Sequence, residues 1–243
     1  MNCSYPLFLS PLVWLCRFRH RCGYGVHSPY AFQFITEVLY ERGFYYAYRQ
    51  LDRQLPPFVR LLGLRPRKLL RMFFRVANYA HPRQACLLGA DPLPLSYMQA
   101  AVPSASWIET LPSGPVGSPV DLLYVDLRSA TPTADEILGV LHSDSVLLLD
   151  HLRHDLPFWH RLLADPRVAI TFDLYDVGIL MFNKRLNRKD YIVNFSINGP
   201  RVNLPSTLLG YPSPSAWMCF CLSSLVSIPV KKRKKTEKFF VKH

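Results

Sequence analysis

Between residues 66 and 183 the apolar positions of the chain follow two alternating rhythms. From Arg67 to Tyr79, Leu69, Leu70, Phe73, Val76 and Ala77 recur at spacings of three and four behind Pro66, which predicts an amphipathic helix. Short and nearly unbroken apolar runs come next: Ala85 to Leu88, stopped by Gly89, then Ser106 to Glu109, Val120 to Asp126 and Ser145 to Asp150. Runs of this length without polar alternation read as strands buried on both faces. Thr133 to Leu141 and the stretch around Trp159 to Leu163 read as helices between them. Val168 to Leu174 and Gly178 to Asn183 are separated only by Tyr175, Asp176 and Val177, a hairpin spacing. Strands alternating with helices predict an α/β architecture: a mostly parallel sheet covered on both faces and closed by one antiparallel hairpin.

Three of the predicted strands end on an acid, at Glu109, Asp126 and Asp150. The carboxyl edge of an open α/β sheet is where ligands bind. A carboxylate placed there costs desolvation free energy unless it caps a helix, pairs or meets a ligand. Glu109 follows Gly89 by 20 residues. That spacing suits a carboxylate at the end of a second strand accepting both hydroxyls of a ribose, with the first strand–helix turn beside the rest of the nucleoside.

The rest of the chain divides by composition. Residues 1–65 form a basic, aromatic, proline-broken cap, with a helix expected from Pro29 to about Gly43 and Ser28 as its N-cap. Residues 66–195 form the sheet domain. Residues 196–243 form an irregular tail ending in a basic run, Lys231 to Lys235. The net charge of +12 is segregated: residues 1–83 carry 13 Lys/Arg and 3 Asp/Glu, whereas residues 84–183 carry 4 and 12. The cap's arginines lack the interleaved aromatic pattern of an RNA-binding sheet, so nucleic acid is not expected as a partner. Six cysteines at 3, 16, 22, 86, 219 and 221 form no CxxC pair and no zinc spacing, which points to a reducing, cytoplasmic compartment and no structural zinc. Tyr5 to Cys16 is apolar but has no basic residue before it, so a packed segment is expected rather than a signal peptide. No apolar run reaches the ~18 residues of a membrane span.

The order of elements and the final hairpin resemble those of class I S-adenosyl-L-methionine-dependent methyltransferases. A narrower resemblance lies in GYGVHSPYAF at residues 23–32, which is similar to the GVHSPF-type opening of a bacterial group of methyltransferase-like proteins. The strings LLRMFFRVANY, ACLLG, DLLYVD, SVLLLDHL and VAITFDLYDVGILMFNK follow in that group's order, so the resemblance covers roughly residues 20–195. It implies a Rossmann-like sheet, S-adenosyl-L-methionine as cofactor, and methyl transfer to an O or N atom of a small-molecule acceptor. The residues it places at the cofactor are Gly89 and Asp91 at the turn, Glu109 at the ribose, and Asp126 and Asp150 at the crevice edge.

The chain departs from the family pattern inside that turn. Leu87 stands at the acid position of an E-x-G-x-x-x-G loop, Leu93 stands where the second glycine belongs, and Pro92 and Pro94 remove two backbone donors. His151 replaces a second acid after Asp150, and Leu127, Arg128 and Ser129 replace the G-x-H that often follows the strand ending in Asp126. Asp126, Asp150 and His151 are residue types that ligate divalent metals in related enzymes acting on catechol-like oxygens, but no metal site is assigned. Two functions therefore stand beside each other: a methyltransferase, and a non-catalytic relative that keeps the fold as a binding or scaffold protein.

Overall fold

Strand β1 (Gln84–Leu88) starts the sheet, and helix α4 (Pro92–Ala101) carries the chain to β2 (Ser106–Ile108). The chain then returns past β1 to β3 (Val120–Asp126), α5 (Ala134–Val140), β4 (Leu141–Asp150), α6 (Leu156–Ala164), the hairpin β5 (Ile170–Asp173) and β6 (Val177–Met181), and β7 (Lys189–Ile192). Among the described residues three α-helices precede β1: α1 (Pro29–Gln33), α2 (Tyr46–Gln54) and α3 (Leu64–Ala80). The structure, a computed structural model, describes residues 16–20, 22–55, 64–89, 92–112 and 119–195. The chain separates into two compact units, Met1–Gly199 and Pro200–His243, and every described residue lies in the first. The expectations for the tail, for most of Tyr5 to Cys16 and for Asp91 fall outside the described residues.

The seven strands lie in the order β2-β1-β3-β4-β6-β5-β7. All run parallel except β6, which is antiparallel to both β4 and β5. This is the mostly parallel, Rossmann-like sheet that the periodicity predicts, closed by one antiparallel hairpin. Alternate residues of the central strands feed opposite layers. Leu122 and Tyr124 of β3 and Val146 and Leu148 of β4 face the core made with the N-terminal helices and α4. Leu123, Val125, Leu147 and Leu149 face the core made with α5 and α6. Burial on both faces explains the continuous apolar runs.

Several boundaries differ from the sequence expectation for identifiable reasons. The helix from Pro29 is α-helical only to Gln33 and continues as a π-helical turn, Phe34–Leu39. The wider turn buries Phe34, Ile35, Val38 and Leu39 together, and the buried Arg75 of α3 donates to the carbonyls of Val38 (2.6 Å) and Leu39 (2.8 Å), closing that end. Ser28 caps the start as expected, accepting from the Ala31 N–H. Strand β4 begins at Leu141 rather than Ser145, because the Ser145 hydroxyl donates to the Val120 carbonyl (2.6 Å) and holds the irregular start against β3. Strand β7 is an addition that the sequence reading did not assign. It pairs with β5 from Ile170↔Lys189 to Asp173↔Ile192. The alternation of Tyr191, Val193 and Phe195, all packed in the core, was its available signal.

Candidate functional site

The chain leaves β1 for β2 on one side and then crosses to β3 on the other, so the topological switch point lies between the carboxyl ends of β1 and β3. Gly89 stands on one side of that point and Asp126 on the other. Gly89 has φ +67°, a left-handed conformation that favours glycine. The space beside it is taken by the chain itself: a Cβ at Gly89 would come within 2.9 Å of Ser129 Cβ and 3.1 Å of Ala130 Cβ and N. The loop after β3 is folded tightly there, with the Ser129 and Ala130 N–H groups donating to the Asp126 carbonyl at 3.1 and 2.9 Å.

Asp126 and Asp150 are direct neighbours in the parallel register of β3 and β4, and both are buried. Both oxygens of Asp126 are engaged. Oδ1 accepts from the Arg128 N–H (3.0 Å) and lies 2.9 Å from His151 Nδ1, and Oδ2 accepts from an Arg128 guanidinium nitrogen at 3.0 Å. Burial on its own would raise this carboxyl, but the His151 and Arg128 hydrogen bonds outweigh it and hold Asp126 well below the usual carboxylate range. An ionised Asp126 only accepts, so His151 carries its proton on Nδ1. Asp150 is shifted the other way: burial raises it, against the His151 charge and the Tyr124 hydroxyl that donates to Oδ2 at 2.8 Å. His151 sits at φ 54°, ψ 42°, a left-handed conformation costing a non-glycine residue roughly 1–2 kcal/mol. Its N–H donates to Asp150 Oδ1 (2.8 Å) while its ring meets Asp126, and these contacts hold the strained turn.

The structure therefore brings Asp126 and Asp150 together with Gly89 nearby across the switch point, and adds Arg128, His151 and Tyr124 to them. The sequence singles out His151 as standing in place of a second acid after Asp150; a histidine directly after a strand-end acid is the signal for its pairing with Asp126. Glu109 is outside this group. Strand β2 stops at Ile108, and Glu109 is exposed in the bend beyond it. Leu93 is packed against the core shared with the N-terminal helices, and Pro94 is buried in α4.

The cofactor implied by the fold fits these residues poorly. Ser129 and Ala130 stand against the Cβ side of Gly89, and both Asp126 oxygens are satisfied internally. A cleft of about 670 Å³ opens farther along the same edge, between the amino ends of α5 and α6. Leu127, Thr131, Thr133, His154 and Arg161 line it, and none of Gly89, Glu109, Asp126 or Asp150 does. Among the described residues no group of three His, Cys, Asp or Glu side chains is arranged to hold a metal ion. No described helix is long and apolar enough to cross a membrane.

No family model matches the chain, and no curated protein matches it. Solved structures to which it is similar include the O-methyltransferase TomG from Streptomyces achromogenes in complex with SAM, at 13% identity and TM-score 0.37 over 57% of this chain and 89% of that one. The SAH-bound methyltransferase PaMTH1 from Podospora anserina is similar at 12% identity and TM-score 0.35, over 75% of this chain and 99% of that one. A methyltransferase from Geobacter sulfurreducens is similar at 13% identity and TM-score 0.32, over 54% of this chain and 92% of that one. At such distances the fold rests on the strand order and the hairpin themselves.

Proposed function

We propose that this chain is a methyltransferase-type fold whose cofactor edge has become a packed structural edge, and that it works as a non-catalytic binding or scaffold protein. The observation that carries this reading is the contact across the switch point, where Ser129 and Ala130 fill the approach to Gly89. A nucleoside with a methionine-like tail needs close backbone approach at that glycine, and Ser129 and Ala130 already stand against one side of it. The internal pairing of Asp126 supports the same conclusion.

The competing reading keeps the enzyme. In it Gly89, Asp91, Glu109, Asp126 and Asp150 hold S-adenosyl-L-methionine, and the methyl group passes to an O or N atom of a small-molecule acceptor, a reaction driven mainly by positioning. Isothermal titration with S-adenosylhomocysteine separates the two. The expected result is no measurable heat of binding. Binding in the micromolar range or tighter would restore the enzyme reading, and Glu109→Gln should then weaken it about tenfold, as expected for lost hydrogen bonds to a charged group.

A further inference from the structure

From the outer face of α2 and the residues leading into it, we infer a binding surface for single-stranded nucleic acid. Phe44 is 62% exposed and Tyr46 is 94% exposed, two large rings held out in solvent two residues apart in sequence. On α2 the exposed positions are Tyr46, Arg49, Gln50, Arg53 and Gln54, one helical stripe at spacings of three and four. The Arg49 guanidinium lies 6.0 Å from the Phe44 ring centre, so a cation and a ring share one patch.

The one acid of α2 is turned away from the stripe. Asp52, on α2 itself, accepts from Arg71 (2.5 Å) and from the Tyr97 hydroxyl (2.7 Å) and lies 3.5 Å from Arg67, all on α3 and α4. Glu41 accepts from the Tyr45 hydroxyl and Glu37 from Gln33. These three are all the carboxylates of residues 1–83, and none of them is among the exposed positions of α2.

The chemistry selects the partner. Every base has a π-face that stacks on an exposed aromatic ring, and arginines beside the rings neutralise the phosphates between bases. A lipid surface would instead need an outward aliphatic face, but the apolar residues of α2, Tyr48 and Leu51, are buried inward against α3. The interleaving of cations and rings that is missing from the strands is present on this helix, where the chain turn rather than the pleat sets the spacing. The inference does not depend on whether the cofactor edge binds anything.

The test is fluorescence anisotropy of a fluorescein-labelled fifteen-nucleotide oligo-dT with the full chain. Binding is expected at about 10⁻⁵ M near 50 mM salt and should weaken steeply by 200 mM. The double variant Phe44→Ala, Tyr46→Ala should weaken it tenfold or more, and Arg49→Glu should weaken it and flatten the salt dependence. Circular dichroism of these exposed-site variants should match wild type. No binding at 50 mM salt overturns the inference. So does binding that both variants leave unchanged while glutamine replacements at Lys231 to Lys235 abolish it, because the partner would then be held by the tail. Association with phosphatidylserine vesicles without oligonucleotide binding overturns it as well.

Discussion

The two halves of the sheet have fared differently. On the hairpin side, β6 is buried along its whole length, is paired on both edges and carries the ring of Trp159 directly over Gly178. On the β1–β2 side, β2 has three residues, its first is exposed, and only residues 109–119 join it to β3. The hairpin half supplies core, whereas the other half is the one a nucleoside would occupy. Among the described residues the hairpin half is therefore the more completely buried of the two.

The sharpest way to break this contrast is at the boundary strand. Asp126→Asn removes the charge from a buried acceptor whose partners, Arg128 and His151, are partly exposed, and should lower unfolding free energy by about 2 kcal/mol in urea titration. A loss under about 1 kcal/mol would mean that the acid is not held as a structural charge. Because Asp126 is held low, its contribution is present above the unfolded carboxyl value of about 4 and is lost as the pH falls below it. Gly178→Ala tests the intact half. The new Cβ would lie 2.6 Å from the Trp159 ring, and the overpacking should cost about 2 kcal/mol in the same titration.

Asp150→Asn should act in the opposite sense to Asp126→Asn. Its folded value is raised, so ionising it costs stability as the pH climbs from about 4 through that value. The variant should equal or exceed wild type at pH 7 by up to about 1 kcal/mol and lose that advantage near pH 4. A loss at pH 7 would show that the carboxylate is wanted in its charged form. The smallest effect is expected at Glu109→Gln, an exposed position at the reduced edge, where thermal unfolding should show no measurable change in midpoint.

The parts of this fold legible in the sequence are those fixed by burial on both faces. The runs ending at Asp126 and Asp150, the helix capped by Thr133 and the hairpin around Tyr175 all appear where periodicity puts them. Asp126 and Asp150 were legible as neighbours because strand-end acids in adjacent parallel strands must meet. Contacts between loops were not legible. The filling of the Gly89 approach by Ser129 and Ala130 depends on how tightly the turn after β3 closes, which no local propensity encodes. The π-helical turn escaped for a related reason: its buried partner, Arg75, lies far along the chain.

Strand β7 also bears on how the protein behaves in company. A sheet of this kind ends in two rows of unpaired amides, and such rows recruit other chains. At one end β2 is too short to offer much of a template. At the other, β7 lies along β5 with Lys189 and Asp190 exposed, and the Val193 N–H donates to the Asp173 carbonyl just beyond it. Those few residues serve as a selvedge: they finish the weave with charge so that the fabric does not stitch itself to its neighbour. A chain cut before Lys189 would keep its central strands and leave the outer edge of β5 without the pairing that β7 gives it.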